Sequence, residues 1–348
     1  MSFKLATFAE AIASIPARDG KHLLLGNGFS QACRSDIFSY GSLLEKADFS
    51  NLSKTAKDSF NTLETTDFEV VIRTLRDSAK LVALYANDQK KLVSTLNGDA
   101  KKLKNLLVDT ISKHHPANPS KLSDSEFSHG REFLRNFKNI YTLNYDLLLY
   151  WTLMHDLEGE KSFQKINFDD GFRHPDGEDE SVTYVSWEVE NSNKQNVYYL
   201  HGALHLFESD TELQKFTWTR TGVKLIDQIN ESLERESYPL IVAEGTSDQK
   251  MGRIMKSGYL QRGLKSLASI GGSLFVYGMS MSPNDEHILK RIEKSKISNL
   301  WIGVYGDPKA KSNKDMIARA SALENMNGKK SPLSVKFYDA QSANVWAG

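Results

Sequence analysis

The stretch that decides the fold is KHLLLGNGFS, at residues 21–30. Its apolar first half predicts a buried strand, the glycines predict a tight turn, and a helix is expected to begin near Ser30. Gly26 and Gly28 would let the backbone approach a phosphate, and a helix N-terminus offers unpaired N–H groups. A purely structural turn explains the two glycines equally well, because the third glycine of the common dinucleotide-binding pattern is missing.

Three further strings also place small or polar residues directly after an apolar run. They are TLNYD at 142–146, LHG at 200–202 and YGMSMSPND at 277–285. The carboxyl ends of parallel strands meet at one edge of an open α/β sheet, where ligands bind. The four strings are therefore predicted to converge on one cleft.

Apolar runs elsewhere predict further strands, and helical segments separate them. These strands are expected at residues 240–243, 273–277, 300–305 and 334–338. Alternating strands and helices indicate an α/β protein with a Rossmann-like, mostly parallel sheet and helices on both faces.

Two insertions are predicted within a single domain that spans residues 1–348. Apolar residues at helical spacing, such as Phe68, Val71, Ile72 and Leu75, predict a large helical insertion over 42–137. The acidic stretch 156–196 contains interspersed glycine and proline, which favours a solvated, loop-rich insertion.

The composition excludes several classes of function. Lysine and arginine number 44, as do aspartate and glutamate, so no overall field favours nucleic acid or an anionic membrane. No apolar run is long enough to span a bilayer and no signal-peptide pattern is present, so a cytoplasmic location is expected. The single cysteine, Cys33, rules out an internal disulfide and a multi-cysteine zinc site.

The polar residues of the later strings each have a structural alternative. Asn144 and Asp146 suit a helix N-cap as well as a ligand site. His201 and His205 have the spacing of a helical metal pair, but Gly202 replaces the glutamate of the metalloprotease pattern and disfavours a helix. No bound metal is therefore expected. Asp285 suits a helix cap as well as a ligand contact.

Taken together, the four strings resemble the sirtuin-like NAD-consuming fold, in its zinc-free bacterial branch rather than its deacetylase branch. The resemblance covers residues 20–45 and 138–345, with Asn27 in place of the alanine in the sirtuin Gly-Ala-Gly-x-Ser turn. The Pro-Asp-Phe-Arg string that follows this turn in classical sirtuins is absent. The loop that covers the nicotinamide is therefore expected to differ.

The resemblance implies a role for each site residue. Asn144 would orient the attacking water and the ribose, and His201 would be the catalytic base, since imidazole accepts a proton near neutral pH. The resemblance also assigns a set of residues to NAD contacts: Gly26, Asn27, Gly28, Ser30, Asp146, Gly278, Ser280 and Asp285. Glu244 and Lys250 could border the site.

The resemblance implies hydrolysis of NAD, as substrate, to nicotinamide and ADP-ribose. It further implies a triggered NAD-depleting effector of antiphage defence, acting as a homo-oligomer or with a second defence protein as sensor. Protein deacylation is disfavoured because one cysteine cannot build the four-cysteine zinc ribbon of the deacylases. The alternative to an enzyme is a non-catalytic protein that binds NAD or ADP-ribose as a sensor.

Overall fold

The structure is a computed structural model that describes residues 5–155, 166–175, 182–209, 212–217, 223–235, 237–243, 246–325 and 332–347. Its strands are β1 (Lys21–Leu25), β2 (Asn139–Thr142), β3 (Phe172–Arg173), β4 (Tyr184–Trp187), β5 (Val197–Tyr199), β6 (Leu206–Glu208), β7 (Leu213–Phe216), β8 (Gly271–Tyr277), β9 (Lys296–Val304) and β10 (Ser334–Asp339). Part of the predicted 156–196 insertion lies outside the described residues.

The helices surround the strands in chain order. They are α1 (Phe8–Ala13), α2 (Gly28–Cys33), α3 (Ser35–Phe38), α4 (Tyr40–Lys46), α5 (Lys54–Thr62), α6 (Phe68–Tyr85), α7 (Lys90–His114), α8 (Asp124–Leu134), α9 (Leu148–Met154), α10 (Leu225–Glu234), α11 (Ser247–Ile254), α12 (Gly258–Ser269), α13 (Glu286–Lys294) and α14 (Lys311–Ala322). Among the described helices, none is long and apolar enough to cross a membrane.

A six-stranded parallel sheet in the order β10-β9-β8-β1-β2-β5 forms the core, and helices flank it. Leu23, Leu24 and Leu25 of β1 are fully buried, as expected for a central strand covered on both faces. This confirms the predicted Rossmann-like α/β fold. The chain passes from β1 to β2 on one side and later to β8 on the other, so the strand order reverses at β1. Ligands bind at such switch points in open α/β sheets.

The segment between β1 and β2 is helical and runs from α2 to α8. Phe68, Val71, Ile72 and Leu75 of α6 form a buried stripe, as their spacing predicts. The first helix after β1 begins at Gly28, two residues before the predicted start at Ser30.

A second, antiparallel sheet in the order β3-β4-β7-β6 packs beside the first. The sequence analysis did not predict it, because its strands are only two to four residues long. Lys215 on β7 forms a buried ion pair with Asp170, with Nζ 2.5 Å from Oδ2.

The predicted strand at residues 240–243 is wrong. This segment forms only an isolated antiparallel bridge between Ile241 and Gly202. Its backbone pairs with the loop after β5: the N–H of Val242 donates to the carbonyl of His201, and the N–H of Ala203 to that of Leu240. The apolar residues of this segment are buried, as those of a strand would be, but they pack against a loop.

Candidate functional site

An open cleft of about 440 Å³ lies at the carboxyl ends of β1, β2, β5 and β8. The volume is in the usual range for ligand pockets, about 300–1,000 Å³. Nine predicted site residues line it: Gly26, Asn27, Gly28, Asn144, Asp146, His201, Gly278, Ser280 and Asp285. Ser30 lies beneath, fully buried. Residues of the helical segment between β1 and β2, including Leu107 and Ile111, complete the wall.

The glycines of the first and last strings pack backbone against backbone. A Cβ on Gly28 would lie 2.5 Å from the Cα of Gly278, and one on Gly26 would lie 2.6 Å from the Gly278 carbonyl oxygen. The N–H of Gly28 donates to that same carbonyl, and the N–H of Gly26 to the Tyr277 carbonyl. These two N–H groups are therefore engaged by β8 and its turn, which corrects the expectation of unpaired donors for a phosphate.

Asn144 and Asp146 are held together by Ser30. The Asn144 side-chain amide donates to Ser30 Oγ at 3.0 Å, and Ser30 Oγ donates in turn to the Asp146 carboxylate. Asp146 Oδ1 also accepts a hydrogen bond from the N–H of Leu148 at the start of α9. Asp146 therefore stabilises the N-terminus of this helix as well as lining the cleft. Burial raises the pKa of Asp146 above its usual value. Ser30 thus positions two cleft residues from below.

His201 occupies its position because Gly202 follows it. Gly202 has a φ of +76°, and a Cβ there would lie 1.8 Å from the Leu240 carbonyl oxygen, so only glycine fits this tight turn. Burial first, and then the positive Lys250 and the neighbouring His287, lower the pKa of His201 well below its usual 6.5. The ring is therefore neutral at pH 7, but it is a weaker base than the reference value implies.

A buried lysine connects the cleft to the helical segment. Lys250 Nζ lies 2.6 Å from Glu69 Oε2 on α6 and 3.0 Å from Asp285 Oδ1. Burial by itself lowers the pKa of Lys250, but the two carboxylates outweigh it and the net shift is upward. The hydroxyl of Tyr145, one residue after Asn144, donates to Glu69 Oε1 at 2.6 Å. Asp285, which lines the cleft, therefore also holds Lys250 in the cleft wall.

Sequence reasoning missed Glu69 and His287, and it gave Lys250 only a place at the border of the site, where the structure has it. Glu69 precedes Ile72 by one helical turn, so an acid within the apolar stripe of α6 was a usable signal. His287 lies two residues after the predicted Asp285, on the buried side of α13. Nothing local in the sequence pairs these residues, because they are far apart along the chain. Glu244 lies outside the described residues.

His205 takes no part in the cleft. It is fully buried between the rings of Tyr150 and Tyr199, and neither ring nitrogen has a hydrogen-bond partner in the part of the chain that the structure describes. A metal shared by His201 and His205 is not supported by this placement. A different group, His201, Asp285 and His287, has ligand atoms within 4.8 Å of one another. Lys250 already supplies a positive charge to Asp285, which disfavours a cation there.

We expect metal removal to leave the protein unchanged. Incubation with a chelator should not shift the melting temperature, because a structural zinc site needs about four ligands and the chain has one cysteine. Thermal unfolding with and without chelator checks this, alongside elemental analysis. Stoichiometric zinc in the purified protein would contradict the prediction and bring back the deacylase alternative.

A family model described as "Domain of unknown function (DUF4917)" matches residues 23–346. The chain belongs to this family. The match spans the parallel sheet except the first two residues of β1, the helical segment, and the strand ends and turns that form the cleft. A search of curated proteins finds no significant match to the sequence.

Proposed function

We propose that the protein hydrolyses NAD at the nicotinamide–ribose bond and releases nicotinamide and ADP-ribose. The observation that carries the proposal is the convergence of Asn144 and His201 with two glycine turns in one cleft, at the point where the strand order reverses. Dinucleotides bind at this point in other open α/β sheets. The motif resemblance to sirtuin-like NADases gives the choice of ligand.

Hydrolysis of the nicotinamide–ribose bond requires few catalytic groups. Nicotinamide leaves as a neutral molecule from a cationic pyridinium, so no general acid is needed. The site must stabilise an oxocarbenium-like centre, orient water and accept a proton. Asn144 donates its amide N–H to Ser30, which leaves Oδ1 as an acceptor to orient the water or a ribose hydroxyl. Neutral His201 accepts the proton.

The remaining residues bind the dinucleotide in this proposal. Gly26, Asn27, Gly28 and Gly278 line the cleft, and the diphosphate would lie against these two turns. Ser280, on the turn after β8, would contact the adenosine ribose. Asp146 would border the nicotinamide ribose, where its carboxylate, held by Ser30, would accept a hydrogen bond from a ribose hydroxyl.

The biological proposal extends the same chemistry. We place the protein in the cytoplasm as the NAD-depleting effector of an antiphage system, held silent until a trigger acts, because a permanently active NADase would harm its host. The trigger would act through oligomerisation or a second protein. In this proposal the buried ion pair between Lys250 and Glu69 would carry a movement of the helical segment to the cleft.

The test is direct. Purified protein is incubated with NAD, and nicotinamide and ADP-ribose are followed by chromatography, with and without an acyl-lysine peptide. Equal amounts of the two products, independent of the peptide, support hydrolysis. Nicotinamide release that requires the peptide would indicate deacylation. Saturable NAD binding with no turnover under any activating condition would indicate a sensor.

A further inference from the structure

His201 does not face the cleft alone. Its Nε2 lies 2.9 Å from Nε2 of His287 on α13, and the two rings are nearly parallel, with centroids 5.1 Å apart. Both side chains are buried. The other ring nitrogen of His287, Nδ1, lies 3.4 Å from Ser247 Oγ at the first turn of α11. Ser247 is partly exposed and lines a shallow surface depression with Asp248, Asn284 and Lys290.

We propose that His287 is a positioning residue that fixes the tautomer of His201 and passes its proton through Ser247 to solvent. This inference rests on the proposed function for its catalytic consequence. It goes beyond the resemblance because the histidine pair follows from the distances alone.

The hydrogen-bond pattern leaves two arrangements of protons. Two Nε2 atoms at 2.9 Å share one proton, so one ring donates and the other accepts. For His201 to accept a proton at Nδ1, it must carry its own proton on Nε2 and donate it to His287. His287 then carries its proton on Nδ1 and donates to Ser247 Oγ. In the opposite arrangement, Nδ1 of His201 is already protonated and cannot act as a base.

Proton transfer through the pair is balanced. His201 Nδ1 takes a proton from the attacking water or a ribose hydroxyl, and its Nε2 proton moves to His287 Nε2. The Nδ1 proton of His287 moves to Ser247 Oγ, and the serine hydroxyl releases its own proton to solvent. The chain ends neutral, with every proton shifted by one position. Return to the starting tautomers completes the cycle.

The electrostatic surroundings explain why such an exit is needed. Burial lowers the pKa of His287 to about 3, with further lowering by Lys250, Arg291 and Lys290, and an opposing effect of Glu69. Burial, Lys250 and His287 likewise lower the pKa of His201. A buried imidazolium beside an ammonium is unfavourable. Passing the proton outward avoids holding that charge in the cleft.

The first experiment does not depend on activity. Protein labelled with ¹⁵N-histidine is examined by long-range ¹H–¹⁵N correlation, with signals assigned by His201→Gln and His287→Gln. We expect His201 protonated on Nε2 and His287 on Nδ1, with both rings neutral at pH 7. The proposal would be overturned if His201 were protonated on Nδ1 both in the free protein and in the protein with NAD added.

The second experiment measures turnover. His287→Gln keeps a hydrogen-bonding amide but cannot relay a proton, and His287→Phe keeps only a buried aromatic ring. We expect both variants to lose about 10²-fold in kcat with little change in KM, since the base is no longer held in its active tautomer. His129→Gln, a matched change on α8 away from the cleft, should leave kcat unaltered. A wild-type kcat and pH profile in His287→Gln would refute the relay while leaving the proposal of NAD hydrolysis intact. An inactive wild-type protein would instead count against the proposed function. In that case the tautomer measurement would still show whether His287 fixes the proton of His201 on Nε2.

Discussion

Nicotinamide release should nearly stop when His201 or Asn144 is replaced by alanine. Loss of a positioned general base costs a factor of about 10² to 10⁴ in rate. Asn144→Ala removes the group that orients the nucleophile and leaves Ser30 without that donor. NAD should still bind, because the glycine turns and Ser280 remain. Turnover is measured by chromatography in the activated state, and NAD binding by calorimetry.

The pH dependence of kcat/KM is a second test of the assignment of His201 as the catalytic base. Burial and Lys250 hold the pKa of His201 well below 6.5, and the base is active only when neutral. Activity carried by His201 should therefore stay level as the pH falls from 8 to 6, whereas an exposed histidine would be half protonated near 6.5. A decline in kcat/KM centred on pH 6.5 would contradict this assignment.

The control for these variants has to separate chemistry from folding. His205→Ala is a poor one, because the buried ring would leave a cavity between Tyr150 and Tyr199. His205→Phe keeps the packing and should leave turnover unchanged. Each variant must also keep the wild-type melting curve. If folded His201→Ala retains wild-type turnover, the proposed mechanism is wrong.

Lys250→Met should destabilise the fold by about 3–5 kcal/mol, since it leaves the buried Glu69 and the partly buried Asp285 without their cation. That is a large part of the total stability of an ordinary domain, about 5–15 kcal/mol. Asp67 adds to the effect: burial and the neighbouring Glu69 raise its pKa to about 6, and Lys250 counteracts them. Urea unfolding of wild type and variant measures the difference.

Two comparisons test the cause of this loss. Lys250 opposes the upward shift in the pKa of Asp67, so without Lys250 that carboxyl takes up a proton more readily and its repulsion with Glu69 is relieved at low pH. The loss of stability should therefore be greater at pH 8 than at pH 5. Lys80→Met removes an exposed partner of Asp77 on the same helix, α6, and should cost only about 0–1 kcal/mol. Equal losses for Lys250→Met and Lys80→Met would show that the buried contacts contribute nothing special.

The sequence by itself determined the α/β class and which strand ends meet at the cleft. Apolar runs ending in Gly26, Asn144, His201 and Gly278 placed these residues at strand ends, and parallel strands bring such ends to one edge. The predicted strand at 240–243 was wrong for a physical reason. Burial in a sheet and burial against a loop both require apolar residues, so the apolar run alone does not distinguish them. The short strands of the second sheet gave no periodicity to detect.

Only the tertiary structure decided what surrounds those residues. The contacts of Lys250 with Glu69 and of His201 with His287 join segments separated by 181 and 86 positions in the chain, and no local pattern encodes such pairings. Burial, which sets the pKa of His201, is likewise a property of the packed chain. A histidine's residue type fixes what it can donate and accept, but its protonation and its partner depend on which distant side chains fold against it.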